Sequence, residues 1–299
     1  MTVNKSKFIC IGEILWDKLP DSTVAGGAPF NVAIHLKRWG CEVDFISCVG
    51  VDWDGDNLIK NLESEFLSPE FIQRDGEHIT GKVNITLSDY GKPEYDIVEP
   101  VAWDYIRIDE NNLSKITRDD YVVFGSLAQR NNVSRTSIRK LLDSQAKKIF
   151  DVNLREPFYS KEIIYDSLKK ADILKLNDDE LEIISSWFDV HGDMAFKLEL
   201  LAARFSLDRI ILTLGEKGAL SFYNGDIFHH KGFKLQVKDT VGAGDAFLGA
   251  YLSKLNDDIQ EVDRLKFANA VAAYIASQSG ALPALDLHFI TRLMDSKLV

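Results

Sequence analysis

The stretch Asp239-Thr-Val-Gly-Ala-Gly-Asp245 runs directly into Ala246-Phe-Leu-Gly-Ala-Tyr-Leu252. Its glycines permit a tight turn and a close backbone approach to a ligand. Phe247, Leu248, Tyr251, Leu252 and Leu255 then fall at helical spacing. The N–H groups that open such a helix, those of Gly242, Ala243 and Gly244, can converge on an anion. With Asp245 in the first turn beside them, this combination suits phosphoryl transfer to a hydroxyl. The amides would stabilise charge on the moving group, and Asp245 would accept the hydroxyl proton. A carboxylate near a helix N-terminus is a weak base. A loose transition state, however, asks for orientation of the nucleophile more than for early deprotonation. An ordinary strand-to-helix turn, with glycine for geometry and Asp for the dipole, would look the same in this stretch alone.

Other polar residues stand where they could serve such a reaction. Asp17 follows the apolar run Ile14-Leu-Trp16, just beyond a core strand, where open α/β sheets place ligand sites; a surface turn carboxylate is the other reading. Gly26-Gly27-Ala-Pro-Phe-Asn31 precedes a helix with Val32, Ala33, Leu36 and Trp39 as apolar positions and Gly40 at its end. Asn31 offers both a donor and an acceptor to a hydroxyl-rich ligand, or it is a cap in a glycine-loosened loop. Arg155 can grip a sugar oxygen, a carboxylate or a phosphate, or pair with Asp151 or Glu156. Asn177-Asp-Asp-Glu180 has capping-box spacing. Asp52, Asp54 and Asp56 read as turn and helix-start carboxylates, and Lys217 as a phosphate contact or an exposed turn residue.

Taken together, these segments resemble the PfkB (ribokinase-like) family of carbohydrate kinases over nearly the whole chain. Asp239-Thr-Val-Gly-Ala-Gly-Asp245 looks like its C-terminal signature, and Gly26-Gly-Ala-Pro-Phe-Asn-Val-Ala33 its N-terminal one. Gly12-Glu13 to Asp17, Val101-Ala-Trp-Asp104 and Ala281-Leu-Pro-Ala284 lean towards fructokinases. The resemblance implies Asp245 as catalytic base, Gly242, Ala243 and Gly244 as anion hole, and Asp17, Gly27, Asn31 and Arg155 as sugar contacts. It further implies that Thr213, Gly215, Gly218 and Asn269 line the nucleotide. Asn177 and Glu180 would serve Mg²⁺, mostly through water, and the backbone near Asp239 would serve K⁺. The implied reaction is transfer of the γ-phosphoryl group of ATP to fructose. 2-Keto-3-deoxygluconate, a ribose-like sugar or a nucleoside is the alternative substrate, and a non-catalytic sugar-binding regulator the alternative class.

The elements that must position these residues follow an alternating pattern. Phe8–Ile11, Val43–Val49, Tyr121–Ser126, Lys148–Asn153, Ala171–Leu176 and Arg209–Thr213 read as strands separated by helical segments. This implies one α/β domain over residues 1–299 with a mostly parallel central sheet, and the resemblance makes it a ribokinase-like three-layer sandwich. From Thr80 the rhythm changes. Val83, Ile85 and Leu87 alternate with polar residues, Asp89–Pro93 reads as a turn, and Glu94–Val98 returns, a hairpin signal. A solvent-facing hairpin on the main sheet is one reading; the resemblance implies instead a small β lid over the sugar, here near 14–25 and 80–106, whose free edges invite a homodimer through the lid.

Composition narrows the class. A net charge of -11 argues against nucleic acid as a partner, and no apolar run is long enough to span a membrane. The three cysteines, Cys10, Cys41 and Cys48, form no metal-spaced pair and leave one over. With no signal-peptide pattern, this fits a reduced cytoplasmic location. A P-loop and the protein-kinase Asp-Phe-Gly element are absent from the sequence. Gly242-Ala-Gly-Asp-Ala-Phe247 lacks the third glycine of a dinucleotide fingerprint.

Overall fold

A computed structural model describes residues 6–19, 22–87, 93–108 and 113–296. The chain forms two compact units, residues 1–146 and 147–299.

In the first unit the elements run β1 (Lys7–Ile11), β2 (Leu15–Lys18), β3 (Thr23–Gly26), α1 (Ala28–Arg38), β4 (Glu42–Gly50), α2 (Trp53–Ser64) and β5 (Ile72–Asp75). Then come β6 (Gly81–Leu87), β7 (Pro93–Ile97), β8 (Tyr121–Gly125) and α3 (Asn132–Leu142). Strands β8, β1, β4 and β5 lie side by side in that order, all parallel. Tyr121-Val-Val-Phe-Gly125 is buried throughout, as expected of a parallel strand covered on both faces. A separate four-stranded sheet has the order β3-β2-β6-β7. It brings the segment before α1 together with the hairpin expected near residue 80. The hairpin turn expected at Asp89–Pro93 falls largely on 88–92, outside the described residues.

The small sheet is rooted by specific contacts. Trp103 is fully buried, and Arg130 stacks on its ring at 4.0 Å. Arg130 also holds the Asp104 carboxylate with a two-pronged bond, 2.7 and 2.8 Å. Gly81 opens β6 as a glycine because any Cβ there would run into the Trp103 indole. Asp52 caps α2 by accepting from Gly55 N–H at 2.7 Å, and also accepts from the N–H and hydroxyl of Thr80 at 2.8 and 2.6 Å. The Trp16 indole N–H donates to the Asp54 carbonyl at 3.0 Å. Asp52 and Asp54 therefore act as the helix-start residues their sequence implied, and they tether β2 and β6.

The second unit comprises β9 (Lys147–Asp151), α4 (Lys161–Leu168), β10 (Ile173–Asn177), α5 (Asp178–Trp187), α6 (Met194–Phe205) and β11 (Arg209–Thr213). It continues through β12 (Ala219–Tyr223), β13 (Asp226–His230), α7 (Ala243–Ser253), α8 (Glu261–Ala276) and α9 (Leu287–Asp295). Its sheet has the order β13-β12-β11-β10-β9. Strands β9 to β11 are parallel, and β12 and β13 add an antiparallel flank. Helix α7 is buried from Ala246 to Leu252, so its apolar positions run all round. Its Tyr251 hydroxyl lies in a buried network with Arg209 and Glu261, and Arg264 pairs with the same Glu261 carboxylate at 2.5 Å. This fixes α7 against β11 and α8.

Candidate active site

The turn that opens α7 is built as its glycines require. Thr240 to Ala243 form a turn in which Ala243 N–H donates to the Thr240 carbonyl at 3.2 Å. Gly242 occupies the left-handed region at φ 75 and ψ -3, as the third residue of a type II turn must. A Cβ at Gly242 would also collide with Ala281. The turn consumes one of the three expected amides, that of Ala243. The N–H groups of Gly242 and Gly244 keep no partner among the described residues, so they are the pair left to face an anion. Asp245, half-buried, follows in the same turn of helix.

Asp239 stitches this turn to the chain after α8. Its Oδ1 accepts from Val241 N–H at 3.0 Å, its Oδ2 accepts from Gly280 N–H at 2.9 Å, and its own N–H donates to the Ala276 carbonyl at 3.1 Å. Both side-chain oxygens are thus used in holding the loop, and any cation there would be met by backbone carbonyls.

Beside the mouth of α7 stands a group the sequence reading passed over. Lys175, in the middle of the apolar strand Ile173-Leu-Lys-Leu-Asn177, is only 6% exposed. Its ammonium donates to Asp151 Oδ1 at 2.9 Å and stands 3.5 Å from where a Cβ on Gly244 would lie. Burial alone would lower its pKa. Asp151 and Glu180 outweigh that, with Asp245 adding, and hold it above the ordinary lysine value. Asp151 Oδ2 is buried with no hydrogen-bond partner among the described residues. A lysine inside an otherwise apolar strand was the available signal, since lysine is almost never fully buried unless paired.

Asn177 and Glu180 form a reciprocal capping box. Asn177 Oδ1 accepts from Glu180 N–H at 2.8 Å, and Glu180 Oε2 accepts from Asn177 N–H at 2.9 Å. Glu180 Oε1 accepts from Leu154 N–H at 2.9 Å, so the same carboxylate pins the loop after β9. Burial, with Asp151 adding, raises the Glu180 pKa against the opposing pull of Lys175 and the two N–H donors. With one backbone donor on each oxygen, Glu180 is suited to meeting a magnesium ion through its water shell rather than directly. No group of three or more metal-ligating side chains occurs among the described residues. Arg155 is exposed and donates to its neighbour's carbonyl, Leu154, at 3.0 Å. Neither suggested partner takes it, because Asp151 holds Lys175 and Glu156 accepts from the Tyr159 hydroxyl at 3.0 Å.

The expected nucleotide residues cluster on this unit. Thr213 ends β11 and Gly215 follows at φ 58 with nothing within 4 Å of a notional Cβ, which leaves the backbone there open to a ligand. Gly218, at φ 91, has no room for a side chain because the His230 carbonyl lies against it. Asn269, on α8, hydrogen-bonds His230. Lys217 is exposed.

In the first unit, Asp17 lies on β2 opposite Val24 of β3 and Val83 of β6. A Cβ on Gly26 would run into its carboxylate, and one on Gly27 into the Glu13 carbonyl. Gly27, at φ 114, follows β3 and caps α1, its carbonyl accepting from Asn31 N–H at 2.9 Å. Asn31 is buried. Asp17, Gly27 and Asn31 are therefore drawn into one glycine-lined corner with the buried Glu13, which sequence reasoning had not singled out as a contact.

The model of the pfkB family of carbohydrate kinases matches residues 21–286. "Probable fructokinase-2" of Arabidopsis thaliana is 31% identical, over 94% of this chain and 93% of its own length. "Fructokinase-1" of Zea mays is 30% identical, over 95% of this chain and 96% of its own. The fructokinase of Vibrio cholerae O395, solved with fructose, ADP and a calcium ion, superposes with a TM-score of 0.83 at 25% identity, covering 97% of this chain and 99% of that one. The Xylella fastidiosa fructokinase with bound ATP gives 0.84 at 22% identity, covering 97% and 98%. The α/β fold with a large, mostly parallel sheet and a small separate one is the fold of these kinases.

Proposed function

The chain belongs to the pfkB family of carbohydrate kinases, and we propose that it is an ATP-dependent fructokinase. The observation that carries the reading is the α7 mouth, where the Gly242 and Gly244 amides, unpaired among the described residues, stand in one helical turn with Asp245. Two amides aimed at an anion beside a half-buried carboxylate suit transfer of a phosphoryl group to a hydroxyl. In the proposed step a fructose hydroxyl oxygen forms a bond to the γ-phosphorus of ATP as the bond to the β–γ bridging oxygen breaks. The hydroxyl proton passes to Asp245, ADP carries away the leaving oxygen, and the amides hold the charge that builds on the moving group.

The remaining roles follow the chemistry of each residue. Asp17, Gly27 and Asn31 hold neutral sugar hydroxyls, with Arg155 as a further oxygen ligand. Thr213, Gly215, Gly218 and Asn269 line the nucleotide. Magnesium would arrive on the nucleotide phosphates, neutralising their charge, with Asn177 and Glu180 meeting its waters. A potassium ion would sit among carbonyls near Asp239. The small sheet acts as the lid over the sugar, its open β3 and β7 edges offering a homodimer contact, and the setting is cytoplasmic. The choice of fructose rests on the relatives' names and on the Vibrio enzyme's bound sugar.

The test is an ADP-coupled rate assay with ATP across D-fructose, D-glucose, D-ribose, 2-keto-3-deoxygluconate and adenosine. Fructose should give the highest kcat/KM. No turnover of any of them by folded protein would leave the regulator reading in its place.

A further inference from the structure

His230, at the end of β13, and Asn269, on α8, are both buried and touch each other. The backbone N–H of Gly232 donates to His230 Nδ1 at 3.1 Å. A backbone amide nitrogen can only donate, so Nδ1 carries a lone pair and the ring proton resides on Nε2. Burial, with Lys266 and His229 adding, holds this histidine below its ordinary pKa, which keeps the ring neutral. The Asn269 atom 3.2 Å from Nδ1 must then be the donor, Nδ2, and the same nitrogen reaches the His230 carbonyl at 3.4 Å. The amide nitrogen is thus held by His230 through both its ring and its backbone. The amide's one remaining hydrogen-bonding atom is the acceptor Oδ1, which has no partner among the described residues and is not sealed from solvent. A fixed acceptor on a buried side chain selects a ligand that brings an N–H and penalises one that brings a second acceptor.

We propose that His230 is a positioning residue that locks the Asn269 amide, so that Oδ1 reads the amino group of adenine and discriminates ATP from 6-oxo purine nucleotides. The inference rests on Asn269 lining the nucleotide, as in the kinase reading above. Without an acceptor at the Nδ1 position the amide keeps only its longer bond to the His230 backbone carbonyl, 3.4 Å, and turns over more readily, presenting Nδ2 to the oxo group of guanine. His230 then sets the base preference without touching the base.

The test measures equilibrium binding of ADP and GDP by isothermal titration to wild type, His230→Leu and His230→Asn, with melting curves to confirm folding. Wild type should favour ADP by about tenfold or more, the scale on which a site built for a hydrogen bond rejects the wrong partner. In His230→Leu the ratio should fall several-fold towards unity, chiefly because GDP binds better. His230→Asn should restore most of it, since its amide oxygen stands near the Nδ1 position. Should the leucine variant fail to fold, His230→Gln removes the acceptor from that position while keeping a polar side chain, and it should lose the preference too. A wild type that binds both diphosphates alike, or an unchanged ratio in the folded variants, overturns the proposal while leaving the kinase reading intact. Binding of neither diphosphate overturns both, and the sugar assay tests the kinase reading separately.

Discussion

At the scale of single residues, two side chains near the α7 mouth make separable predictions. Asp245→Asn keeps the size of the side chain and removes the proton acceptor. Turnover should fall by roughly two to four decades, as for a positioned acid–base group, while ADP binding by titration stays near normal. Wild-type turnover in the folded variant would take Asp245 out of the mechanism. Lys175 acts through charge balance. Lys175→Met leaves Asp151 buried without its cation, a loss of about 3–5 kcal/mol for a broken buried pair. The double variant Lys175→Met with Asp151→Asn removes both charges, and its urea midpoint should recover most of the deficit. An equally unstable double variant would show that the pair's worth is not electrostatic. Asp245 was legible because glycines, amides and a carboxylate share one short stretch. Lys175 was not, because its partner lies 24 residues away on another strand, and no local spacing records such a pair.

At the scale of elements, the small sheet depends on a carboxylate outside it. Asp52 caps α2 and holds Thr80, the residue just before β6. Burial would raise the Asp52 pKa, but bonds from the Thr80 hydroxyl and from the Thr80 and Gly55 N–H groups outweigh it and hold the carboxyl below its ordinary value. A depressed folded value means the stabilisation is complete above the unfolded carboxyl pKa of about 3.9 and is lost as pH falls through the folded one. Asp52→Ala should cost about 1–2 kcal/mol at pH 7, in line with other lost N-caps. The gap to wild type in urea midpoint should narrow below about pH 4. If β6 helps to cover the sugar, the same variant should raise KM for fructose more than for ATP. Equal shifts in the two constants would separate the small sheet from sugar binding. The hairpin was legible from its alternation of apolar and polar residues. Its pairing with β2 was not, since register between strands about 65 residues apart follows from packing rather than local pattern.

At the scale of the whole chain, substrate choice sums contributions that no single motif holds. The alternation of strands and helices was legible for β1, β4 and β8 to β11, because buried parallel strands read as continuous apolar runs, whereas β5, β12 and β13 were not read as strands. The division into two compact units was not, since no linker-like composition marks residue 146. Asp17 and Asn31 belong to one unit and Arg155 to the other, and under the proposed function their chemistries favour different sugars. A carboxylate at 17 and an amide at 31 suit neutral hydroxyls and disfavour an acidic sugar. An exposed guanidinium at 155, bonded only to a neighbouring carbonyl oxygen among the described residues, has donors left for a carboxylate. The fructokinase reading proposed above favours the neutral sugar. D-Fructose should therefore exceed 2-keto-3-deoxygluconate in kcat/KM by about tenfold or more, a difference of about 1.4 kcal/mol in transition-state binding. Arg155→Ala should lower fructose use only a few-fold, because a solvated guanidinium gives little to a neutral oxygen. A preference for the acid sugar that Arg155→Ala abolishes would reassign the substrate while leaving the phosphoryl chemistry of the α7 turn in place.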